Sequence, residues 1–238
     1  MQKFDGYEDI VIDRPRKIRA GLYKGKIVGT KIDKISTKNG DREILRIYFD
    51  IAEGQYKDYF KINYELDSSD PKKKRWNCEL DFFLQSESDT QEQNKRSAEK
   101  FKRFIKRVEE SNKDYTFGWD EKTLKNKAIG LAFRLEEFTG REGNIACATK
   151  LGYVVSIEQV DATFDPNDRA TYPKVKCIDN TLVPYADYIE KLKKVQDKVQ
   201  EEASYITIED TDDIPFWLIK KERTNNPLFF IDHLLTIY

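Results

Sequence analysis

The chain has 238 residues, enough for one sizeable domain with appendages, and 36% of them are charged although the formal sum is only −1. Its three cysteines (Cys78, Cys147, Cys177) are odd in number and far apart, which argues against a disulfide framework, and no run reaches the roughly 18 apolar residues of a membrane span. The first residues carry no basic-then-apolar signal layout, so a reducing, cytoplasmic setting without membrane attachment is expected.

The charges are unevenly placed. From Arg14 to Cys78 there are 17 Lys/Arg against 9 Asp/Glu, whereas Glu201 to Phe216 holds 6 acids and no base. A basic body with an acidic tail suggests an anionic partner for the body. In chain order, "LYKGKIVGTKIDKI" (22–35) reads as a long strand whose Gly25 and Gly29 permit a bulge. After the Asn-Gly turn signal in "STKNGDRE", residues 43–51 alternate, with Leu45, Ile47, Phe49 and Ile51 on one face and Arg46 and Tyr48 on the other. Residues 56–66 also alternate and predict a third strand: Phe60, Ile62, Tyr64 and Leu66 inward, Lys57, Tyr59, Lys61 and Asn63 outward.

Residues 67–94 are polar and predict a loop or insertion. Phe101, Phe104, Ile105 and Val108 then recur at helical spacing over 94–111, with bases opposite. Two further strands follow at 128–138 and 144–160, joined through "FTGREGN". Three strands, a helix and two strands match a mainly β domain with helices: a five-stranded OB-fold barrel over 1–160, its helix between the third and fourth strands. A generic mixed sheet is the alternative. Residues 161–204 read as a linker and a helix (184–202, with Pro184 near its start), and 205–238 as a flexible acidic peptide followed by an apolar extension.

Enzymatic patterns are weak. The only histidine is His233, the cysteines lack zinc spacing, and "GLYKGKI" has the wrong spacing for a phosphate loop. No carboxylate set converges by spacing, so neither catalysis, metal nor cofactor is expected. The strand faces instead combine rings and bases, which is what stacking on a single strand and meeting its phosphates require. The candidates are Arg46 and Tyr48, then Lys57, Tyr59 and Lys61, then Trp76 beside Lys72, Lys73, Lys74 and Arg75, with Lys24, Lys26 and Arg134 as additions.

The segment "DTDDIPF" resembles the acidic tip of bacterial single-stranded-DNA-binding proteins, a cluster of Asp followed by Ile/Leu-Pro-Phe, at Asp212, Asp213, Ile214, Pro215 and Phe216. The stretches "GLYKGKIVGTKI", "KFKRFIKRV" and "LKNKAIGLAFRLEEFTGREGN" are similar to the single-stranded-DNA-binding proteins of phages of Gram-positive bacteria. The resemblance implies a single-stranded-DNA binder of little sequence preference, acting in phage replication or recombination in the host cytoplasm. It also implies that the tip recruits replication or recombination proteins. In that family the Phe ends the chain and its carboxylate is part of what partners bind; here 22 residues follow Phe216. A protein-binding accessory factor and, less favoured, a metal-dependent nuclease are the alternative functions, and homo-oligomer formation stays open.

Overall fold

The computed structural model describes residues 17–37, 40–67, 74–86, 89–141 and 143–204. Among these, β1 (Gly21–Thr37) and β2 (Gly40–Ile51) form a long antiparallel hairpin with Thr37 opposite Gly40. Then come α1 (Tyr59–Leu66), β3 (Glu79–Phe83), α2 (Gln91–Ser111), β4 (Ala128–Thr139), β5 (Ile145–Val155), α3 (Ile157–Thr163), β6 (Val175–Lys176), β7 (Leu182–Val183) and α4 (Tyr185–Ser204). The fold is mixed α/β, a seven-stranded sheet in the order β3-β2-β1-β4-β6-β7 with β5 also paired to β4. The expected barrel is not formed: among the described residues the path is open, with β3 at its end. The helix expected between the third and fourth strands is present as α2.

The chain divides into two compact units, Met1–Phe133 with Thr149–Phe164 and Arg134–Ala148 with Asp165–Tyr238. The first unit's core follows from alternation. Leu45, Ile47, Phe49 and Ile51 of β2 are all buried, joined by Ile129, Leu131 and Phe133 of β4. The strip Phe104, Ile105 and Val108 of α2 closes this core, and the helix starts at a capping box between Thr90 and Gln93. In the second unit Glu136 of β4 pairs in parallel with Lys176 of β6, and α4 buries Tyr188 and Ile189. The Tyr188 hydroxyl donates to Glu137 Oε1 at 2.8 Å and lies 3.0 Å from Cys147 Sγ.

Two elements differ from the sequence expectation. Residues 56–66 are not a strand: Tyr59–Leu66 is helical, and of its supposed inward face only Phe60 is buried. The third strand lies instead inside the expected loop, at Glu79–Phe83, where Phe82 is buried and Leu80 packs against the core. The last strand also stops short of 160, because Ser156 and Gln159 form a capping box that begins α3. Short strands β6 and β7 occupy part of the expected linker.

Asp50 explains why α1 forms. It is a fully buried carboxylate at the end of β2, and it accepts N–H bonds from Ile51 (2.8 Å), Phe60 (3.0 Å) and Lys61 (3.1 Å). Two of these are first-turn donors that a helix leaves unpaired, and Asp58, with φ of 56°, offers no side-chain cap of its own. Burial holds the Asp50 carboxyl above the ordinary value, against the opposing pull of the three N–H groups. The folded chain therefore binds that proton more tightly than the unfolded chain. This group's contribution to stability falls as pH rises from near 3.8 through the raised value and is constant beyond it. Asp50→Ala should cost about 2–4 kcal/mol at neutral pH, since it strands buried N–H donors. Denaturant titration across the acid range checks both parts: the variant should be weaker and should lack this acid-range component.

Candidate nucleic-acid interface

An open groove of about 820 Å³ lies on the first unit, lined by Val28, Gly29, Arg46, Tyr48, Tyr64, Lys74, Arg75, Trp76, Asn77, Glu79, Lys150 and Leu151. Five residues expected from the sequence therefore come together here: Arg46, Tyr48, Lys74, Arg75 and Trp76. Their positions follow from the strands. Arg46 and Tyr48 face outward from β2 because their neighbours Leu45, Ile47 and Phe49 fill the core. Trp76 is half-buried against that core, and its indole N–H donates to the Phe49 carbonyl at 2.8 Å. Its ring lies 5.8 Å from that of Tyr64 on α1, tilted by 43°. The Lys74 ammonium sits 5.5 Å from the centre of the Tyr64 ring, a cation-π distance.

Arg46 is a different kind of residue from the other bases. Its fork binds Asp81 at 2.8 and 3.0 Å, and Asp33 and Glu79 each lie 3.6 Å away. The hydrogen bonds to Asp81 raise its already high pKa further. Its charge is largely balanced by these carboxylates; the other bases of the lining are Lys74, Arg75 and Lys150. Burial raises the Glu79 carboxyl, while Arg46 pulls it back.

Other expected residues lie elsewhere. Lys24 pairs with Asp161 (2.9 Å) and Glu53 (3.3 Å), and Lys26 with Asp58 (2.7 Å), whose carboxyl is thereby lowered. The expected strand face of Lys57, Tyr59 and Lys61 does not exist. Lys57 is in the turn before α1, Lys61 is exposed on α1 and lies 4.0 Å from Glu65, and Tyr59 packs edge-on against Tyr56 and Phe60. Arg134 belongs to the second unit, where its Nε and Nη2 both bind Glu136, at 2.9 and 2.8 Å. Lys72, Lys73 and the tip Asp212–Phe216 lie outside the described residues.

The sequence reading missed Tyr64, Lys150 and Glu79. Tyr64 was assigned to the inner face of a strand that is a helix, and Lys150 on β5 carries no local signal. Two further aromatics of the first unit have opposite settings. Tyr23 is packed edge-on against Tyr56 and Phe133, whereas Trp119 is 85% exposed, resting on Phe117 and Phe101 away from the groove lining. Among the described residues, no three His, Cys, Asp or Glu side chains gather as a metal site, and no helix is long and apolar enough to cross a membrane.

No family model matches the chain, and no curated protein matches it significantly. The groove must be judged on its own geometry.

The glycines of β1 offer a clean test of that geometry. The register of β1 against β2 shifts between Ile27 and Gly29, so Val28 is the extra residue of a bulge beside the groove. A Cβ on Gly29 meets nothing within 4 Å, whereas one on Gly25 falls 2.4 Å from Leu131. Gly25→Ala should therefore lose about 1–3 kcal/mol through overpacking. Gly29→Ala, whose Cβ meets nothing, should stay within about 0.5 kcal/mol of the parent in the same denaturant titration.

Proposed function

We propose that this groove binds single-stranded DNA without base pairing, as a non-enzymatic replication or recombination factor whose first unit is an OB-type module. The observation that carries the reading is the meeting of two aromatic rings, Tyr64 and Trp76, with Lys74, Arg75 and Lys150 on one open groove. Stacked rings accept any base face, and adjacent ammonium and guanidinium groups accept the phosphates. Support for the OB-type topology is the neighbour order β3-β2-β1-β4-β5 with α2 inserted between β3 and β4, although the sheet is not closed. Support for DNA as the anion is the resemblance of the body stretches to phage single-stranded-DNA-binding proteins.

The groove predicts which bases matter. Lys74→Ala and Lys150→Ala should each weaken binding to a single-stranded oligonucleotide and reduce the slope of log K against log salt by about 0.7, one phosphate's share. Lys57→Ala and Lys61→Ala, outside the lining, should leave the slope unchanged. Trp76→Phe keeps a stacking ring but loses the bond to Phe49, so it should bind better than Trp76→Ala, which forfeits about 1–3 kcal/mol of stacking. Anisotropy titrations at several salt concentrations decide this; equal slopes for all four lysine variants would remove the groove from the account.

We also propose that Asp212, Asp213, Ile214, Pro215 and Phe216 recruit a replication or recombination protein, with Phe216 in an apolar pocket flanked by bases. What supports this is the sequence of the tip and the local absence of bases from Glu201 to Phe216. A chain truncated before Asp210 should lose partner capture in a pull-down while keeping its DNA affinity. A chain ending at Phe216 should capture more than the full chain if the terminal carboxylate contributes a charge-assisted contact. Equal capture by all three chains would remove the tip's role.

A further inference from the structure

One groove residue runs against the charge of the rest. Glu79 opens β3 and stands opposite Tyr48 in the β2–β3 ladder. Its closest approach to Arg46 is 3.6 Å, too long for a hydrogen bond, because the Arg46 fork is already committed to Asp81. Glu79 thus lines the groove with acceptor capacity that the protein does not use up there. A carboxylate beside a phosphate track repels the ligand's backbone. Inside the protein it is attracted to Arg46; toward a ligand, it favours only a part that donates.

The bases supply such donors unequally. Cytosine presents an N4 amino group where thymine presents the O4 carbonyl. An ionised carboxylate accepts from the first and repels the second. Asn77, the neighbouring neutral polar side chain of the lining, carries both a donor and an acceptor and so does not discriminate by itself. Resting on the reading of this groove as the single-strand site, we propose that Glu79 is a specificity-determining residue that favours amino-bearing bases, cytosine over thymine.

The test compares oligo-dC with oligo-dT of equal length, at neutral pH and one salt concentration, on the full chain and on Glu79→Gln. The parent should bind oligo-dC about ten-fold more tightly, the worth of one hydrogen bond to a charged acceptor. Glutamine keeps the size but adds an amide donor that suits thymine O4. In Glu79→Gln the affinity for oligo-dT should therefore rise and the ratio fall to parity or invert. A purely structural or charge-balancing role would move both affinities together, and that result overturns the proposal. Equal binding of both oligonucleotides by the parent also overturns it while leaving the single-strand reading intact. A preference for oligo-dC that survives in Glu79→Gln removes the assignment to this residue. Binding of neither oligonucleotide by the parent would overturn the underlying reading, and the selectivity with it.

Discussion

The candidate interface hangs on the last turn of one strand. Phe49 and Asp50 are adjacent in β2, and each supplies an acceptor to a segment that carries a ring of the groove. The Phe49 carbonyl takes the indole N–H of Trp76, and the Asp50 carboxylate takes the first N–H groups of the helix that bears Tyr64. Magnitudes show why the second tie is needed. An eight-residue helix is unstable alone, and α1 buries only Phe60, worth roughly 1.5–3 kcal/mol. Two N–H groups of its first turn, which the helix itself leaves unpaired, are instead taken by the buried Asp50 carboxylate. Without that tie Tyr64 would have no fixed place beside Trp76.

This non-local tie also marks where the sequence stops being legible. The strands β1, β2, β4 and β5 and the helices α2 and α4 are visible, and in β2, β4 and α2 this is because burial imposes its own period on the apolar residues. Over 56–66 the pattern Phe60, Ile62, Tyr64, Leu66 fits a strand as well as any, yet a residue in the preceding strand decides for a helix. The missed β3 is a different failure. Cys78, Leu80, Phe82 and Leu84 do alternate, with Cys78 and Phe82 buried and the leucines packed on the core, but charged neighbours disguise them as a loop. Part of the site was legible for the same reason that its strand was. Arg46 and Tyr48 needed only the correct face of β2, while Lys57, Tyr59 and Lys61 inherited the error in 56–66. Lys150 required knowledge of which strands become neighbours.

Counting charges along the chain overstates the basic field. The excess between Arg14 and Cys78 includes Lys24, Lys26, Arg42 and Arg46, each of which meets a carboxylate. These ties are not equivalent. Partly exposed lysine pairs are worth about 0–1 kcal/mol and exchange readily for another anion. The forked, half-buried contact of Arg46 with Asp81 is held more firmly, and it joins β2 to β3 beneath the groove. Arg46 is thus a structural cross-strand tie, and its charge is not a measure of how basic the groove is.

The bulge in β1 completes the groove by what it omits. Beyond Val28 the register brings Gly29 opposite Tyr48, and cross-strand partners on one face ordinarily cover each other. Glycine leaves that position without a side chain, and the space above it is empty. Its backbone φ does not require glycine, and the strand pays a modest entropic penalty for having one. Gly25, four residues earlier, is accounted for by the close approach of Leu131. Packing gives no such account of Gly29. What its hydrogen leaves open is the Tyr48 side of the groove, where a side chain would otherwise stand.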